Sequence, residues 1–278
     1  MSEEILHALM ELFAIIIKQD GGVTEQEKAY VRRFLASQIG EEGGDEYYRF
    51  FLDVATADQE EGQKLTSVLD SVKVLKIGKK INQTLNQKQK IILIVRALEL
   101  INTEYALTRQ RLEIVKTLSD FFRISAAEYE SIFQFVTSGQ DSELNDPNLL
   151  LLGGEPVPEP VKSIPATGLD RPAVILRVPA VNLYFLHYPG ALDVYLNGNI
   201  INKNTIYLLA RGSSIRLPVG APVYYSDIAA RFLSETMDTR IVFEARDIEY
   251  TFPGNVKGLQ DIRFTAVEGS LVGIMGSS

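Results

Sequence analysis

Proline is absent from residues 1–146, and all eleven prolines of this 278-residue chain fall at or after Pro147. Proline removes a backbone donor and clashes with the preceding helical turn. The asymmetry therefore leaves the first half free to be helical throughout and confines breaks and turns to the second. Hydrophobic spacing agrees: Ile5, Leu9, Leu12, Phe13 and Ile16 recur as one face of a helix, and similar stripes cover 29–39, 47–54, 65–75, 90–101, 112–122 and 128–135. These predict about seven helices packed as an all-α bundle. Thr24-Glu25-Gln26-Glu27 and Ser125-Ala126-Ala127-Glu128 both read as capping boxes, in which a hydroxyl and a carboxylate satisfy free N–H groups at a helix start.

A faint internal echo runs through this half. Asp20-Gly-Gly-Val23-Thr24 lines up with Glu104-Tyr-Ala-Leu107-Thr108, an offset of 108 − 24 = 84, and at the same offset Val31 meets Val115 and Phe34 meets Leu118. The pattern suits a duplicated helical hairpin. The stretch ALMELFAIIIKQDGGVTEQEKAYVRRFLASQIG is similar to the tellurite-resistance-B-like (TerB-like) helical domain. That family's hallmark is a helix ending in Asp-Gly, then a capping Ser or Thr, then a Glu in the next helix, matched here by Asp20, Gly21, Thr24 and Glu27. The resemblance covers residues 1–140. Some members hold a divalent metal on acidic residues, which it carries over to Asp20 and Glu27. Read from the residues alone, Thr24 and Glu27 are a capping box and Asp20-Gly21-Gly22 a helix stop. Two carboxylates also fall short of the six or more oxygens calcium wants, so no metal ligand is assigned.

Composition narrows the function classes. With 28 basic and 36 acidic residues the net charge is −8, which argues against a nucleic-acid partner. Lys79-Lys80 and Arg32-Arg33 read as solvated helix charges. The absence of cysteine excludes disulfides, thiolate zinc sites and a cysteine nucleophile. His7 and His187 are the only histidines, and both read as structural. The apolar run LFAIII at 12–17 follows Glu3, Glu4 and Glu11 rather than positive charge, and it is too short to span a bilayer. The expected location is cytoplasmic.

Residues 141–171 hold five prolines between 147 and 165 and read as a semi-extended linker, except for LLLL at 149–152, a candidate docking strand or hydrophobic tether. Residues 172–238 switch to short β-branched and aromatic runs: AVILRV, NLYFLHY, LDVYL, TIYLLA, SIRLP and PVYYSDI. They predict a small β-sandwich or roll, with Asn197-Gly198 as a two-residue hairpin turn. RGSSIR (211–216) is loosely similar to the phosphothreonine-reading loop of forkhead-associated domains. The similarity implies a phosphopeptide-binding adaptor acting through Arg211 and Arg216, although that family's full residue set is not laid out here.

The last stretch is RIVFEARDIEYTFPGNVKGLQDIRFTAVEGSLVGIMGSS, residues 240–278. It reads as a strand (241–250), an aromatic-Pro-Gly turn, a second strand (259–267), a Glu-Gly turn, and a short apolar strand at 271–275 that runs into a glycine. That order resembles the start of an ABC-transporter nucleotide-binding domain. The resemblance places Phe252 where the family stacks an aromatic on adenine, and Gly276, Ser277 and Ser278 on the first three positions of the phosphate loop G-x-x-x-x-G-K-[ST]. Such a loop aims backbone N–H groups at phosphates, while its lysine and hydroxyl complete the cradle and hold magnesium; those later positions lie beyond Ser278. The resemblance implies a parent protein that uses ATP and Mg to drive transport, as a dimer with a membrane-spanning domain or subunit at the inner face of the membrane. The 278 residues themselves, without catalytic residues, are expected not to hydrolyse ATP.

The expected architecture is multi-domain α+β. It comprises a TerB-like helical domain (1–140), a Pro-rich linker (141–171), a small all-β domain (172–238) and the truncated start of an ABC ATPase domain (239–278). The front modules are then accessory or regulatory. The rival expectation is a freestanding divalent-metal or stress-sensing protein whose last 40 or so residues are an incidental hairpin.

Overall fold

The computed structural model describes residues 3–20, 22–40, 43–56, 68–103, 107–138, 144–154, 159–203, 205–233, 242–267, 269–273 and 275–276. The chain is α+β and divides into two compact units, residues 1–229 and 230–278. No helix among the described residues is long and apolar enough to cross a membrane.

Seven helices are described ahead of the first strand. They are α1 (Glu3–Ile17), α2 (Glu25–Ile39), α3 (Asp45–Thr56), α4 (Val68–Thr84), α5 (Gln87–Ile101), α6 (Arg109–Phe121) and α7 (Ala126–Thr137). The LFAIII run lies wholly in the core, as a buried helix rather than a leader segment would. The stripe expected at 65–75 begins outside the described residues. Its helix runs on to Thr84 because Val74, Ile77, Ile81 and Leu85 keep burying one face.

Both predicted capping boxes are present. Thr24 Oγ1 accepts from the Glu27 N–H at 3.2 Å while the Glu27 carboxylate accepts from the Thr24 N–H at 2.9 Å; Ser125 and Glu128 repeat the arrangement. A third box, Asn86 with Gln89, opens α5. Its Asn-x-x-Gln spacing is the same signal in amide form.

The internal echo extends further than a hairpin. Shifting α1 by 84 residues (3 to 87, 17 to 101) superposes it on α5 in the sequence, and α2 shifted likewise (25 to 109) starts where α6 starts. Thr108 caps α6 as Thr24 caps α2, its hydroxyl facing the Arg111 N–H at 3.5 Å. The third helices, α3 and α7, depart from the offset by three residues (45 + 84 = 129 against 126). The paired positions Val31 and Val115 are both fully buried.

Strands follow α7. The first sheet has the order β2-β1-β3-β4-β7, built from β1 (Leu149–Leu152), β2 (Lys162–Ile164), β3 (Ala173–Val178), β4 (Leu183–His187) and β7 (Tyr207–Leu208). The second, β6-β5-β8-β9, comprises β5 (Tyr195–Leu196), β6 (Asn199–Ile200), β8 (Ser214–Arg216) and β9 (Val223–Tyr224). The segment expected as a linker therefore supplies two strands: the four leucines pair antiparallel with β3 and parallel with β2. Extended, proline-flanked backbone suits a strand as well as a linker when an apolar run is available to bury, and Leu149, Leu150 and Leu152 are fully buried.

The helices and the first sheet share one core. Leu149, Val174, Leu176, Val178 and Phe185 cluster with the buried helical residues, and Phe135 of α7 lies 6.4 Å from Phe185, ring centre to ring centre. Because Ile175 on the opposite face is buried as well, β3 reads as a continuous apolar run rather than an alternating one. Helical and β portions expected as separate modules thus form a single unit.

Asn197 and Gly198 adopt φ of 52° and 84°, with Leu196 paired to Asn199 across the turn; both positive angles are what a type I′ turn needs. The PVYYSDI run is a strand only at β9. From Tyr225 it becomes α8 (Tyr225–Leu233), opened by Asp227 accepting from the Tyr224 N–H at 2.9 Å.

In the second unit, β10 (Val242–Phe252) and β11 (Val256–Val267) form an antiparallel hairpin, Phe252 pairing with Val256 across Pro253-Gly254-Asn255. The strand expected at 271–275 is not formed: its described residues carry no regular structure, and Leu271 and Met275 are 100% and 98% exposed. An apolar run becomes a strand when a neighbour pairs with it and a layer covers it, and neither is described here.

Candidate functional site

The hairpin positions the one aromatic singled out in the sequence. Phe252 ends β10, and its ring is 52% exposed. Tyr250 meets it edge-on, with ring centres 4.9 Å apart. On β11, a Cβ added at Gly258 would fall 2.5 Å from the ring, so Gly258 is the opening into which Phe252 settles. The ring is thus held at one side by the hairpin's own backbone and left half open.

Gly276 is exposed, with nothing near the position a Cβ would take. Ser277 and Ser278 lie outside the described residues. The described residues supply no contact that brings Phe252 and Gly276 together. Phe252 offers a half-exposed aromatic face of the kind on which a flat base can stack, and the described residues bring no phosphate-binding group beside it; no chemical step follows from them.

Among the other sequence-singled residues, Glu27 is committed elsewhere. Glu27 Oε2 is taken by its cap, and Oε1 accepts from Arg111 Nη1 at 2.7 Å, with both side chains almost fully buried. Arg111 Nη2 also donates to the Ile17 carbonyl at 2.7 Å, closing the end of α1. Of the two carboxylates that the TerB-like resemblance offers to a metal, Glu27 is therefore a buried ion-pair partner, and the side chain of Asp20 lies outside the described residues. No cluster of three or more metal-type ligands exists among the described residues. In RGSSIR, Arg216 lies over the Tyr195 ring at 4.3 Å, and Ser213 is buried with its hydroxyl 3.3 Å from Asn197 Nδ2. Within that loop Ser213 is tied into its sheet, while Arg211 and Arg216 are exposed.

A second site was not legible in the sequence. A cavity of about 310 Å³ is lined by Gln26, Arg33, Glu99, Asn102, His187 and Lys203, among others. Here α2, α5, α7 and β4 meet the segment before β7. Glu99 is fully engaged: Oε1 accepts from the Ile206 N–H at 2.6 Å, and Oε2 from the Tyr30 hydroxyl at 2.8 Å and Arg96 Nη1 at 2.6 Å. Burial and then the Glu99 charge push the Tyr30 phenol well up, so it stays a donor. Arg96 Nη1 also donates to the Ile206 carbonyl at 2.8 Å, so α5 holds both backbone groups of one residue. His187 is 6% exposed; its Nδ1 lies 3.3 Å from Ser138 Oγ, and burial lowers its pKa to about 4. Arg33, expected as a solvated helix charge, stands at this cavity, whereas its neighbour Arg32 lies over the Tyr48 ring at 4.4 Å.

Comparisons with protein-family models, with curated proteins and with solved structures return no match to this chain.

Proposed function

We propose that this chain is the amino-terminal region of an ABC-type ATP-binding subunit, its first 229 residues an accessory or regulatory module and its second unit the entry to the nucleotide-binding domain. The observation that carries the reading is the ordered run at 242–276: a hairpin whose first strand ends on a half-exposed aromatic seated over Gly258, then Glu-Gly, then an apolar run into Gly276. That order matches the family's route from the adenine-stacking aromatic to the phosphate loop. In this reading Phe252 supplies the face for adenine, and Gly276, Ser277 and Ser278 open the loop that later residues complete around ATP and Mg. The parent protein drives transport as a dimer, with a membrane-spanning domain or subunit at the cytoplasmic face, and residues 1–278 contribute binding rather than hydrolysis.

The test is to read the source gene past the codon for Ser278. Two further residues followed by Gly-Lys-Ser or Gly-Lys-Thr are expected, and a stop codon there overturns the reading. In the product of that gene, Phe252→Ala should weaken ATP binding by about 1–3 kcal/mol, the usual worth of one base stacked on an aromatic.

A further inference from the structure

The cavity between α2, α5, α7 and β4 has a polar lining that packing does not require. Arg33 and Lys203 stand on two different segments of its wall. Both are exposed, and neither has an ion-pair or hydrogen-bond partner among the described residues. In a chain with eight more acids than bases (36 − 28), two unpaired cations on one cavity are an excess that composition does not provide. The one acid in the lining, Glu99, has both oxygens hydrogen-bonded and its charge matched by Arg96. Gln26, exposed on α2, adds an amide donor that no group among the described residues uses.

We propose that this cavity binds a small dianion, a dicarboxylate or a phosphate group, with Arg33 and Lys203 neutralising its charge and Gln26 and His187 donating hydrogen bonds to it. Ser138 Oγ lies 3.3 Å from Nδ1; in the tautomer in which that hydroxyl donates to Nδ1, the His187 ring proton is on Nε2 and can donate to an oxyanion. Charge-assisted bonds to carboxylate or phosphate oxygens are the strong ones, which favours an anion over a neutral polar guest. The volume lies at the lower end of the roughly 300–1,000 Å³ of ligand cavities, and it corresponds to about ten waters. It suits a compact ligand rather than a peptide or a nucleoside triphosphate. Every residue involved belongs to the first unit, so the proposal is independent of the nucleotide reading of the second.

Imidazole NMR on the full chain provides the test, because His7 and His187 are the only histidines and a His187→Gln variant assigns both signals. The chain is titrated near neutral pH with succinate and with inorganic phosphate, and with succinamide as the uncharged control. At least one dianion is expected to move the His187 signals saturably while the His7 signals and the succinamide titration stay flat. Which dianion acts tells a dicarboxylate from a phosphate ligand. Arg33→Ala and Lys203→Ala should each weaken the response by about tenfold, and the double variant should abolish it, all with an unchanged ligand-free melting temperature. No saturable shift with either dianion at about 20 mM, or an undiminished response in the double variant, overturns the proposal.

Discussion

At Arg111 a guanidinium sits at the third position of one helix, pairs with the buried Glu27 at the third position of another, and closes the carboxyl end of a third. Removing one member of a buried pair strands the other charge, which typically costs about 3–5 kcal/mol. Urea unfolding of Arg111→Met should show a loss of that size. Glu27→Gln, which keeps an acceptor for Arg111, should lose less; an Arg111→Met loss below about 1 kcal/mol would show that the pair is not what joins these helices. His187 gives a pH prediction. Its folded pKa of about 4 lies below the unfolded 6.5, so the unfolded chain binds the proton first. Stability is then fully present above pH 6.5 and is lost as pH falls toward 4, by about 3 kcal/mol in all. The groups near the ring are Ser138, the Phe135 edge, and Arg33, Lys203 and Glu99 around the same cavity. Urea midpoints of the native chain and His187→Gln between pH 4 and 7 should diverge in that window. The strand that carries His187 was legible from its apolar run. The place of Arg33 was not, because a charge on a helix face looks the same in sequence whether it meets solvent or a cavity.

Elements with a local cause were the ones legible in advance. The caps at Thr24 and Ser125, the helical stripes and the Asn197-Gly198 turn each depend on residues within one turn of chain. Gly198→Ala, which puts a side chain at φ of 84°, should cost about 1–2 kcal/mol in thermal unfolding and leave the helical circular dichroism unchanged. Elements with a distant cause were read differently. The leucines of β1 became a strand because β3 lies beside them, the PVYYSDI run became a helix after two strand residues, and the described residues of 271–275 carry no regular structure. The hairpin is a further test of local cause. Gly258→Val fills the opening under Phe252 and should abolish the cross-strand Overhauser contact between that ring and residue 258's backbone, whereas Gly273→Ala, with open space around it and no positive φ, should keep it.

For the molecule as a whole, the division into two units predicts that residues 1–233, which retain all of α8, keep the unfolding transition of the first unit, with a midpoint within a few degrees of the full chain's. This shorter chain should also aggregate less, since Val242, Phe243, Tyr250, Phe252 and Val256 are 48–63% exposed in the hairpin it lacks. A boundary between a helical and a β domain was the expectation, and the described residues of both fall within one unit. The bonds from Arg96 and Glu99 to Ile206 reach over 110 and 107 residues, and no periodicity or turn signal encodes such reach. The 84-residue offset has a consequence of another kind. Positions 27 and 111 are equivalents in the two copies, and they touch. In an ancestor with one copy per chain, paired as two identical subunits, that position would face itself, Glu against Glu or Arg against Arg, and the like charges would repel. On one polypeptide the two equivalent positions are free to differ, and the Glu27–Arg111 pair across the repeat is an attractive one.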